Sequence, residues 1–431
     1  MNKFSIPKFV IFILNRLKNA GYQAYVVGGG VRDTYLMRPV TDWDVATSAL
    51  PEEIETVFYD IKFFSLKHGT VTLVDLGHHF EVTTFRGEKN NLEEDLRRRD
   101  FTLNAMAYNQ ENGETLDPFS GKKDITRKLI RATSDPGERF QEDPLRLLRA
   151  VRLATELEFR IERKTLKTLS NMTHLIKSVA PERIRDELMK ILLGPRPSAG
   201  FKAMVTTGLL RHFLPELLEG YRKTQNTFHR YTIFKHIMET IEKVEPVPDL
   251  RLTALFHDIA KPRVRNKAGG KWQFYGHERE GAIMADEIMG RLEFSKEMTR
   301  TVTNLIKHHM IGYNPGWSDS AVRRLIRRVG PENIMALVSF CRADILAHGM
   351  DNQGLDLLDE LEKRIKDLIN DPMMTKTQKL AIDGYKVMEV LGILPGPEVG
   401  QILNDLIEKV IDDPGLNNEE RLLSMVRQLK N

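Results

Sequence analysis

The hydrophobic pattern of this chain changes once, and that change limits what the chain can fold into. Short β-rich runs occur only in the first third, at residues 24–27, 71–74 and 80–85. From about Phe140 onward the apolar residues follow the period of α-helices almost throughout. The pattern therefore predicts a small mixed α/β domain that ends near Ile130, followed by a helical remainder.

Proline and glycine residues mark the breaks between the helical segments. A chain of 431 residues can bury several cores, and breaks fall at residues 194–197, 246–248 and 370–373. We expect a head at residues 1–135, a helical neck at 136–200, a body at 201–350 and a helical tail at 351–431. The predicted fold class is an α/β head with a small mixed sheet and helices, followed by an all-α neck, body and tail.

Composition excludes several classes of protein. Charged residues make up 29% of the chain, as in soluble globular proteins, and no segment is apolar enough to span a bilayer. The apolar run from Phe9 to Leu14 lacks a cleavage site after it, so it predicts an amphipathic first helix rather than a signal peptide. Cys341 is the only cysteine, which excludes an intramolecular disulfide and favours a cytoplasmic location. Because the net charge is only +4, nucleic-acid binding would depend on local basic patches, at residues 97–99 and 323–328.

A run of glycines follows the first predicted strand. Gly28 and Gly29 come directly after residues 24–27, and the next helix is predicted to open at Val31. Glycines allow backbone amides to approach a triphosphate closely, and Arg32 can reach phosphate oxygens. The spacing matches neither a Walker loop nor a Rossmann fingerprint.

Two aspartates follow in a second predicted strand, residues 42–45. Asp42 and Asp44 are two residues apart, so in a strand their carboxylates project from one face. Two Mg²⁺ ions that bridge an attacking hydroxyl and a triphosphate require such a pair. Glu81, in a later strand, is the candidate third carboxylate.

Two further groups suit the recognition of ribose and base. Arg99 could bind phosphate while the adjacent Asp100 accepts a hydrogen bond from a ribose hydroxyl, with Asn104 close by. Asp143 and Arg146 are three residues apart, which predicts neighbours on one helical face that could hydrogen-bond a base edge. By themselves, the same residues also fit a helix cap and a surface ion pair.

Histidines and aspartates recur between residues 232 and 347, on predicted helices. Nitrogen and carboxylate ligands without sulfur suit several divalent metals, so the metal stays unidentified. The candidate ligands are His236, His257, Asp258 and Asp344, and His277 with either His308 or His309 could complete a second site.

The C-terminal part contains a Pro/Gly-rich connection between two predicted helices. Pro395, Gly396 and Gly400 lie in or beside it. Such a hairpin lets backbone amides contact phosphates without reading sequence, although a plain helix corner has the same composition.

Five motifs stand in the order found in one enzyme family. They are Gly28-Gly29-x-Val31-Arg32-Asp33, Asp42-Trp43-Asp44-Val45-Ala46-Thr47, Glu81-Val82-Thr83-Thr84-Phe85-Arg86, Arg98-Arg99-Asp100-Phe101-Thr102-x-Asn104-Ala105 and Glu142-Asp143-x-x-Arg146. Through them the chain resembles the class II tRNA nucleotidyltransferase and poly(A) polymerase family. Residues 181–187 resemble the family's neck element, residues 236–344 an HD phosphohydrolase domain, and residues 380–403 the RNA-binding tail of bacterial members.

The resemblance implies an enzyme that extends the 3′ end of tRNA without a template. Asp42 and Asp44 would hold Mg²⁺, and a nucleotide pocket would include Gly28, Gly29, Arg32, Arg99, Asp100, Asn104, Asp143, Arg146 and Arg149. Asp143 and Arg146 would select CTP or ATP. An unidentified divalent metal in the HD domain would support a phosphodiesterase or phosphatase activity.

One departure from the family pattern bears on the product. Members that build the whole CCA end usually carry a longer flexible loop where this chain has only residues 87–91. The short connection resembles that of CC-adding members, which leave the terminal adenosine to a separate enzyme. The sequence thus favours CC addition. Complete CCA addition, poly(A) synthesis, an HD hydrolase with a degenerate head, and a non-enzymatic RNA-binding protein are the alternatives.

Overall fold

The structure is a computed structural model that describes residues 4–66, 69–87, 91–225, 230–349, 354–370 and 380–429. The chain divides into two compact units, Met1–Pro215 and Glu216–Asn431, and each is described by itself.

The first unit contains a seven-stranded sheet in the order β3-β4-β5-β2-β1-β6-β7. Only the β2–β5 pair is parallel. The strands are β1 (Ala24–Val27), β2 (Asp44–Thr47), β3 (Phe63–Leu66), β4 (Thr70–Asp75), β5 (His78–Thr84), β6 (Ala107–Tyr108) and β7 (Thr115–Leu116). The three β-rich runs predicted from the sequence are confirmed. The second predicted strand is shifted, because β2 begins at Asp44 and leaves Asp42 in the preceding loop.

Helices pack around this sheet and continue into the neck. They are α1 (Lys8–Asn19), α2 (Gly29–Tyr35), α3 (Pro51–Val57), α4 (Leu92–Arg98), α5 (Gly121–Thr126), α6 (Pro136–Glu142), α7 (Leu145–Glu156), α8 (Arg163–Met172), α9 (Pro181–Leu192) and α10 (Pro197–Thr207). The predicted first helix is confirmed, and its buried residues Ile13 and Leu17 join the sheet's Val26, Val45 and Val82 in one core. Full burial of each such side chain contributes about 1.5–3 kcal/mol.

The sequence predicted an all-helical neck, but the structure contains a short strand there. Strand β8 (Leu129–Ile130) pairs in parallel with β9 (Arg160–Ile161), which lies between α7 and α8. A two-residue strand is too short to show an alternating pattern, so the helical periodicity around it hid it.

The second unit is built mainly from helices. They are α11 (Ile233–Lys243), α12 (Pro248–Phe256), α13 (Lys261–Val264), α14 (His277–Arg291), α15 (Lys296–His308), α16 (Asp319–Val329), α17 (Ile334–Ala347), α18 (Leu355–Ile369), α19 (Gly384–Leu391), α20 (Pro397–Asp412) and α21 (Glu419–Gln428). The sequence did not predict the hairpin of β10 (Asn266–Ala268) and β11 (Lys271–Gln273). Its turn contains Gly269 and Gly270, both with positive φ.

The fold class predicted from the sequence is confirmed apart from these short strands. No helix in the described part of the chain is both long enough and apolar enough to cross a membrane.

Candidate active site and metal centre

Three carboxylates, those of Asp42, Asp44 and Glu81, lie near one another where β2 begins beside β5 in the first unit's sheet. The parallel register pairs Val45 with Val82, so Asp44 and Glu81 occupy neighbouring positions where β2 and β5 run side by side. Burial, together with the nearby Asp42 and Glu81, raises the pKa of Asp44 to about 6. Burial and Asp42 also raise the pKa of Glu81. A site where carboxylates resist ionisation in one another's presence fits a divalent cation, because the cation would remove that repulsion.

Gly28 lies against this carboxylate group. Its φ is +74°, and a Cβ at this position would lie 3.0 Å from Asp44 Oδ2 and 3.2 Å from Arg99 Nη1. Both the conformation and the close approach therefore require glycine. Gly29 is under no comparable constraint, because a Cβ there would meet only the Arg32 guanidinium, at 3.6 Å.

A chain of polar contacts runs behind the carboxylates. Arg32 is buried, pairs with Asp33 at 2.8 Å and donates a 2.8 Å hydrogen bond to Asn104 Oδ1. Asn104 in turn donates from Nδ2 to Asp100 Oδ1 at 3.0 Å, and Arg149 Nε lies 2.9 Å from Asp100 Oδ2. The structure thus connects four of the predicted nucleotide-binding residues to one another.

Asp100 is held in its ionised form. Burial raises the pKa of this carboxylate. The Arg149 guanidinium and the hydrogen bonds from Asn104 and the Phe101 amide lower it by more than burial raises it, so the pKa lies below its ordinary value. Asp100 therefore presents hydrogen-bond acceptors at neutral pH.

The basic patch at residues 97–99 is largely paired within its own helix. Arg99 Nε donates to the buried Asp95 at 2.9 Å, rather than to Asp100. Arg97 and Arg98 lie 3.5 and 3.6 Å from glutamates one helical turn earlier in α4. The sequence analysis missed Asp95, although its spacing of four residues from Arg99 is a signal for such a pair.

The predicted pairing of Asp143 and Arg146 on one helical face is wrong. Asp143 lies at the C-terminal end of α6, before α7 begins, and its Oδ2 lies 3.1 Å from Arg183 of α9. Arg146 instead donates to Glu142 at 2.7 Å and to the Arg98 carbonyl at 2.8 Å. Pro144 breaks the helix between the two residues, so their spacing in sequence does not translate into helical proximity.

The second unit contains a compact group of six metal-type ligands, here called the His/Asp cluster. Ligand atoms of His236, His257 and Asp344 lie within 4.8 Å of one another, and so do those of Asp258, His277 and His309. The Asp258 carboxylate connects the two triads, with Oδ2 3.3 Å from His257 Nε2 and Oδ1 3.5 Å from His277 Nε2. Of the two histidines left open by the sequence, the structure selects His309 over His308. The sequence predicted that His257 and Asp258 lie on a helix, and this is wrong, because both lie in the turn after α12.

The ring orientations in the His/Asp cluster fit metal binding. The Nδ1 atoms of His257, His277 and His309 lie 3.0, 2.8 and 2.7 Å from the carbonyls of Ala254, Phe274 and Ile306, respectively. A carbonyl can only accept, so each Nδ1 carries a proton and each Nε2 is directed into the cluster, as in metal sites. Among the described residues, no hydrogen-bond donor satisfies Oδ1 of Asp258.

Charge in the His/Asp cluster is uneven between the two triads. Burial lowers the pKa of His257, but the adjacent Asp258 and Asp344 raise it overall to about 10. Burial, reinforced by the neighbouring His257 and His277, lowers the pKa of His309 to about 3. A metal ion at His257 would therefore displace a proton from Nε2, whereas His309 offers a neutral ring.

Lys261 is a residue of this cluster that the sequence analysis missed. It is buried, its Nζ lies 2.7 Å from Asp258 Oδ2, and it donates to Gln225 Oε1 at 3.0 Å. A lysine three residues after an aspartate at a helix end was the available signal.

The C-terminal connection forms as predicted, between α19 and α20. Pro395 and Gly396 lie in the loop and Gly400 lies in the first turns of α20. The sequence offered residues 323–328 as a basic patch for nucleic acid. In the structure, arginines of this patch form ion pairs with acidic residues of α20 instead. Arg324 pairs with Glu408 and Asp412 at 2.7 Å each, and Arg327 pairs with Glu408 at 3.0 Å.

Comparisons with known proteins agree with this arrangement. Residues 24–131 match the family described as the poly A polymerase head domain, residues 158–220 the probable RNA- and SrmB-binding site of polymerase A, and residues 229–347 the HD domain. Each of these matches covers a separate part of the chain.

Full-length relatives give the same result. The CCA-adding enzyme of Pediococcus pentosaceus is 32% identical over 97% of both chains, and that of Streptococcus thermophilus is 31% identical over 97% of this chain and 96% of its own. The crystal structure of the Bacillus stearothermophilus CCA-adding enzyme in complex with CTP is similar with a TM-score of 0.72, at 27% identity, over 97% of this chain and 96% of that one. Together with the five motifs, these matches show that the chain is a nucleotidyltransferase and belongs to the CCA-adding enzyme family.

Proposed function

We propose that this enzyme adds two cytidines from CTP to the 3′ end of tRNA, releases pyrophosphate, and leaves the terminal adenosine to a separate enzyme. The observation that carries this proposal is the short connection between β5, which ends at Thr84, and α4, which begins at Leu92. Residues 88–90 of this connection lie outside the described residues. Enzymes that complete the CCA end resemble this one elsewhere but usually carry a longer loop here. CTP as the substrate is supported by the solved relative with CTP bound.

Asp42, Asp44 and Glu81 are the candidate ligands for divalent cations, with Mg²⁺ the expected ion. When bound, two such ions promote ionisation of the attacking hydroxyl and neutralise charge on the leaving pyrophosphate. The 3′-oxygen of the RNA forms a bond to the α-phosphorus of CTP, and the bond from that phosphorus to the β-phosphate oxygen breaks. The hydroxyl proton passes to water. The protein positions the reactants, and no covalent intermediate forms with its side chains.

The polar chain behind the carboxylates is suited to holding the nucleotide. Arg32 and Arg99 would bind phosphate oxygens, while Asp100, kept ionised beside Arg149, would accept a hydrogen bond from the ribose. Asn104 fixes the orientation of the Asp100 carboxylate through its 3.0 Å hydrogen bond.

Arg146 and Asp143 are the candidate readers of the base. Arg146 is held by Glu142 and by the Arg98 carbonyl, so its guanidinium is already oriented. Asp143 would have to exchange its exposed partner Arg183 for the base. Arg146 supplies donors and Asp143 would supply an acceptor, and the Watson–Crick edge of cytosine has groups that match both.

Product length tests this proposal directly. The purified enzyme is incubated with Mg²⁺ and tRNA lacking its last three nucleotides, and CTP, ATP or both are supplied. We expect addition of two cytidines and no further extension when ATP is present. A third, adenosine addition would identify a complete CCA-adding enzyme, and a long adenosine tail would identify a poly(A) polymerase. If a variant with both Asp42→Ala and Asp44→Ala still performs the biological role of the parent protein, that role is non-enzymatic RNA binding.

The tail is the candidate grip on the tRNA body. The loop of Pro395 and Gly396 is exposed, and Leu394 beside it is 87% exposed. A Cβ added at Gly400 would meet nothing within 4 Å, so a charged side chain can be introduced there without disturbing the fold. We expect Gly400→Lys and Gly400→Glu to change the KM for tRNA in opposite directions, with the KM for CTP unchanged.

The His/Asp cluster supports a second function, hydrolysis of phosphate esters. Six ligands from five segments of the chain converge with their Nε2 and carboxylate atoms inward, an arrangement suited to two divalent ions. Such ions, when bound, lower the pKa of water and neutralise phosphate charge. With a 2′,3′-cyclic phosphate as substrate, the water oxygen forms a bond to phosphorus, one ring P–O bond breaks, and a proton is transferred to the released ribose oxygen.

Hydrolysis of a 2′,3′-cyclic phosphate in the presence of Mn²⁺ or Ni²⁺ tests the second function. We expect activity in the parent enzyme that is lost in Asp258→Asn, with CTP incorporation retained in that variant. A parent enzyme that hydrolyses no cyclic phosphate with either metal would refute the proposal.

A further inference from the structure

A basic and aromatic hairpin is inserted directly between two residues of the His/Asp cluster. Asp258 precedes the hairpin of β10 and β11, and His277 follows it. The exit of the hairpin is tied to the cluster, because the Phe274 carbonyl accepts the hydrogen bond from His277 Nδ1 at 2.8 Å. Its entry is tied as well, since Lys261 pairs with Asp258 and lies 5.6 Å from the centre of the Phe274 ring.

The charge of this segment is of one sign. Between Asp258 and His277 there are five lysines and arginines and no aspartate or glutamate: Lys261, Arg263, Arg265, Lys267 and Lys271. Lys261 pairs with Asp258, and Arg263 pairs with Glu219 at 2.9 Å. Lys267 and Lys271 are exposed, and neither has a carboxylate partner in the part of the chain that the structure describes. Two lysines on the hairpin are therefore available to an anionic ligand.

An aromatic platform lies on the same hairpin. The register places Lys267 opposite Trp272, and the guanidinium of Arg265 stacks 3.4 Å from the centre of the Trp272 ring. Arg265 Nε is buried, and among the described residues no acceptor hydrogen-bonds to it. Tyr275, two residues before the cluster ligand His277, is 81% exposed. An exposed tyrosine and a tryptophan flanked by cations match how proteins hold single-stranded RNA, through base stacking and phosphate contact.

We propose that this hairpin, residues 265–275, binds the last nucleotides of a single-stranded RNA and places its terminal phosphate at the His/Asp cluster. The inference rests on the proposed phosphohydrolase function and specifies its substrate as an RNA end rather than a free mononucleotide. A small phosphate ester needs only the cluster itself. The exposed lysines and the aromatic platform gain contacts only when further nucleotides are present.

Hydrolysis of two substrates tests the inference in the full-length enzyme. One is a single-stranded RNA of about five nucleotides ending in a 2′,3′-cyclic phosphate, and the other is the corresponding cyclic mononucleotide. For Lys267→Gln/Lys271→Gln we expect kcat/KM to fall about tenfold on the RNA, with a weaker salt dependence, and to change less than about twofold on the mononucleotide. For Trp272→Ala we expect a loss of about 5- to 100-fold on the RNA.

The matched control removes two exposed lysines elsewhere in the same unit, at Lys296 and Lys363. The variant Lys296→Gln/Lys363→Gln has the same net charge as the hairpin variant, and we expect it to behave as the parent on both substrates. Equal losses on RNA and mononucleotide in the hairpin variant, or equal losses on RNA in both double variants, would overturn the inference.

Crosslinking separates failure of the inference from failure of the hydrolase proposal. An RNA with a photoreactive 3′-terminal nucleotide and a 3′-phosphate is irradiated with the enzyme, and the attachment site is mapped by mass spectrometry. We expect attachment within residues 265–275. Attachment there in an enzyme that hydrolyses neither substrate would support the hairpin's role and refute hydrolysis. Attachment only elsewhere would overturn the hairpin's role, whatever the enzyme hydrolyses.

Discussion

Replacing the Asp44 carboxylate by an amide should stabilise the metal-free head while abolishing nucleotide addition. The pKa of Asp44 is about 6 in the folded chain, above its ordinary value of 3.8. The contribution of the Asp44 carboxyl to the free energy of unfolding is therefore largest below pH 3.8, falls as the pH rises through 6, and stays reduced at neutral pH. Each pKa unit corresponds to about 1.36 kcal/mol, which sets an upper value of about 3 kcal/mol. Because water reaches the half-buried side chain, we expect a gain of ~1–2 kcal/mol for Asp44→Asn at pH 8.

The measurement is urea unfolding in EDTA, followed by fluorescence of Trp43 in a Trp272→Phe/Trp317→Phe background. Trp43 is 6% exposed and directly precedes Asp44, so it reports on the head. The gain should fall to about half at pH 5, and added Mg²⁺ should stabilise the Asp44 protein but not the variant. Asp75→Asn, at the C-terminal end of β4, removes one negative charge from the head away from the three carboxylates and is the control, which we expect not to reproduce the gain at pH 8. If Asp44→Asn is no more stable than its parent at pH 8, the electrostatic reasoning is wrong.

Three other predictions concern single positions. Gly28→Ala should destabilise the head by about 1 kcal/mol and lower the rate of single-turnover CTP incorporation at least about 100-fold. The reason is that a Cβ would strain the backbone and contact the Asp44 carboxylate, and a normal rate of incorporation would contradict it. His309→Ala should lower the metal content of the second unit by about one ion per chain, measured by mass spectrometry, whereas His308→Ala should leave it unchanged. Glu408→Lys should speed proteolytic cleavage between α16 and α20 several-fold, because it replaces ion pairs with Arg324 and Arg327 by repulsion, and Glu389→Lys should not. Equal cleavage rates in the two variants would show that these ion pairs do not hold α20 against α16.

The sequence predicted the parts of the head where chemistry and local structure coincide. Gly28 follows a strand and needs a positive φ, and the alternation around Val82 identified β5 with Glu81 on it. These features are encoded within a few neighbouring residues. The order of the five motifs then supplied the family, which the comparisons confirmed.

Features that depend on distant partners were not predictable from the sequence. Arg324 follows a pattern typical of an exposed basic helix, and nothing near it indicates that Glu408, 84 residues later, would neutralise it. The break between Asp143 and Arg146, in contrast, has a local signal, because Pro144 stands between the end of α6 and the start of α7. The choice between His308 and His309 depended on the rotation of α15 at its last turn. Periodicity fixes the phase of a helix well in its middle and poorly at its end.

The hydrogen bonds that orient the cluster histidines have a consequence for assembly. His257, His277 and His309 each donate to the carbonyl three residues before them, so each ring takes its metal-binding tautomer from its own turn of backbone. These three ligands are thus oriented by their own local backbone, independently of how the helices dock. His236 differs, because its Nδ1 lies 3.3 Å from the Ala347 carbonyl at the end of α17. The complete set of metal-binding orientations therefore requires that α11 and α17 have packed together.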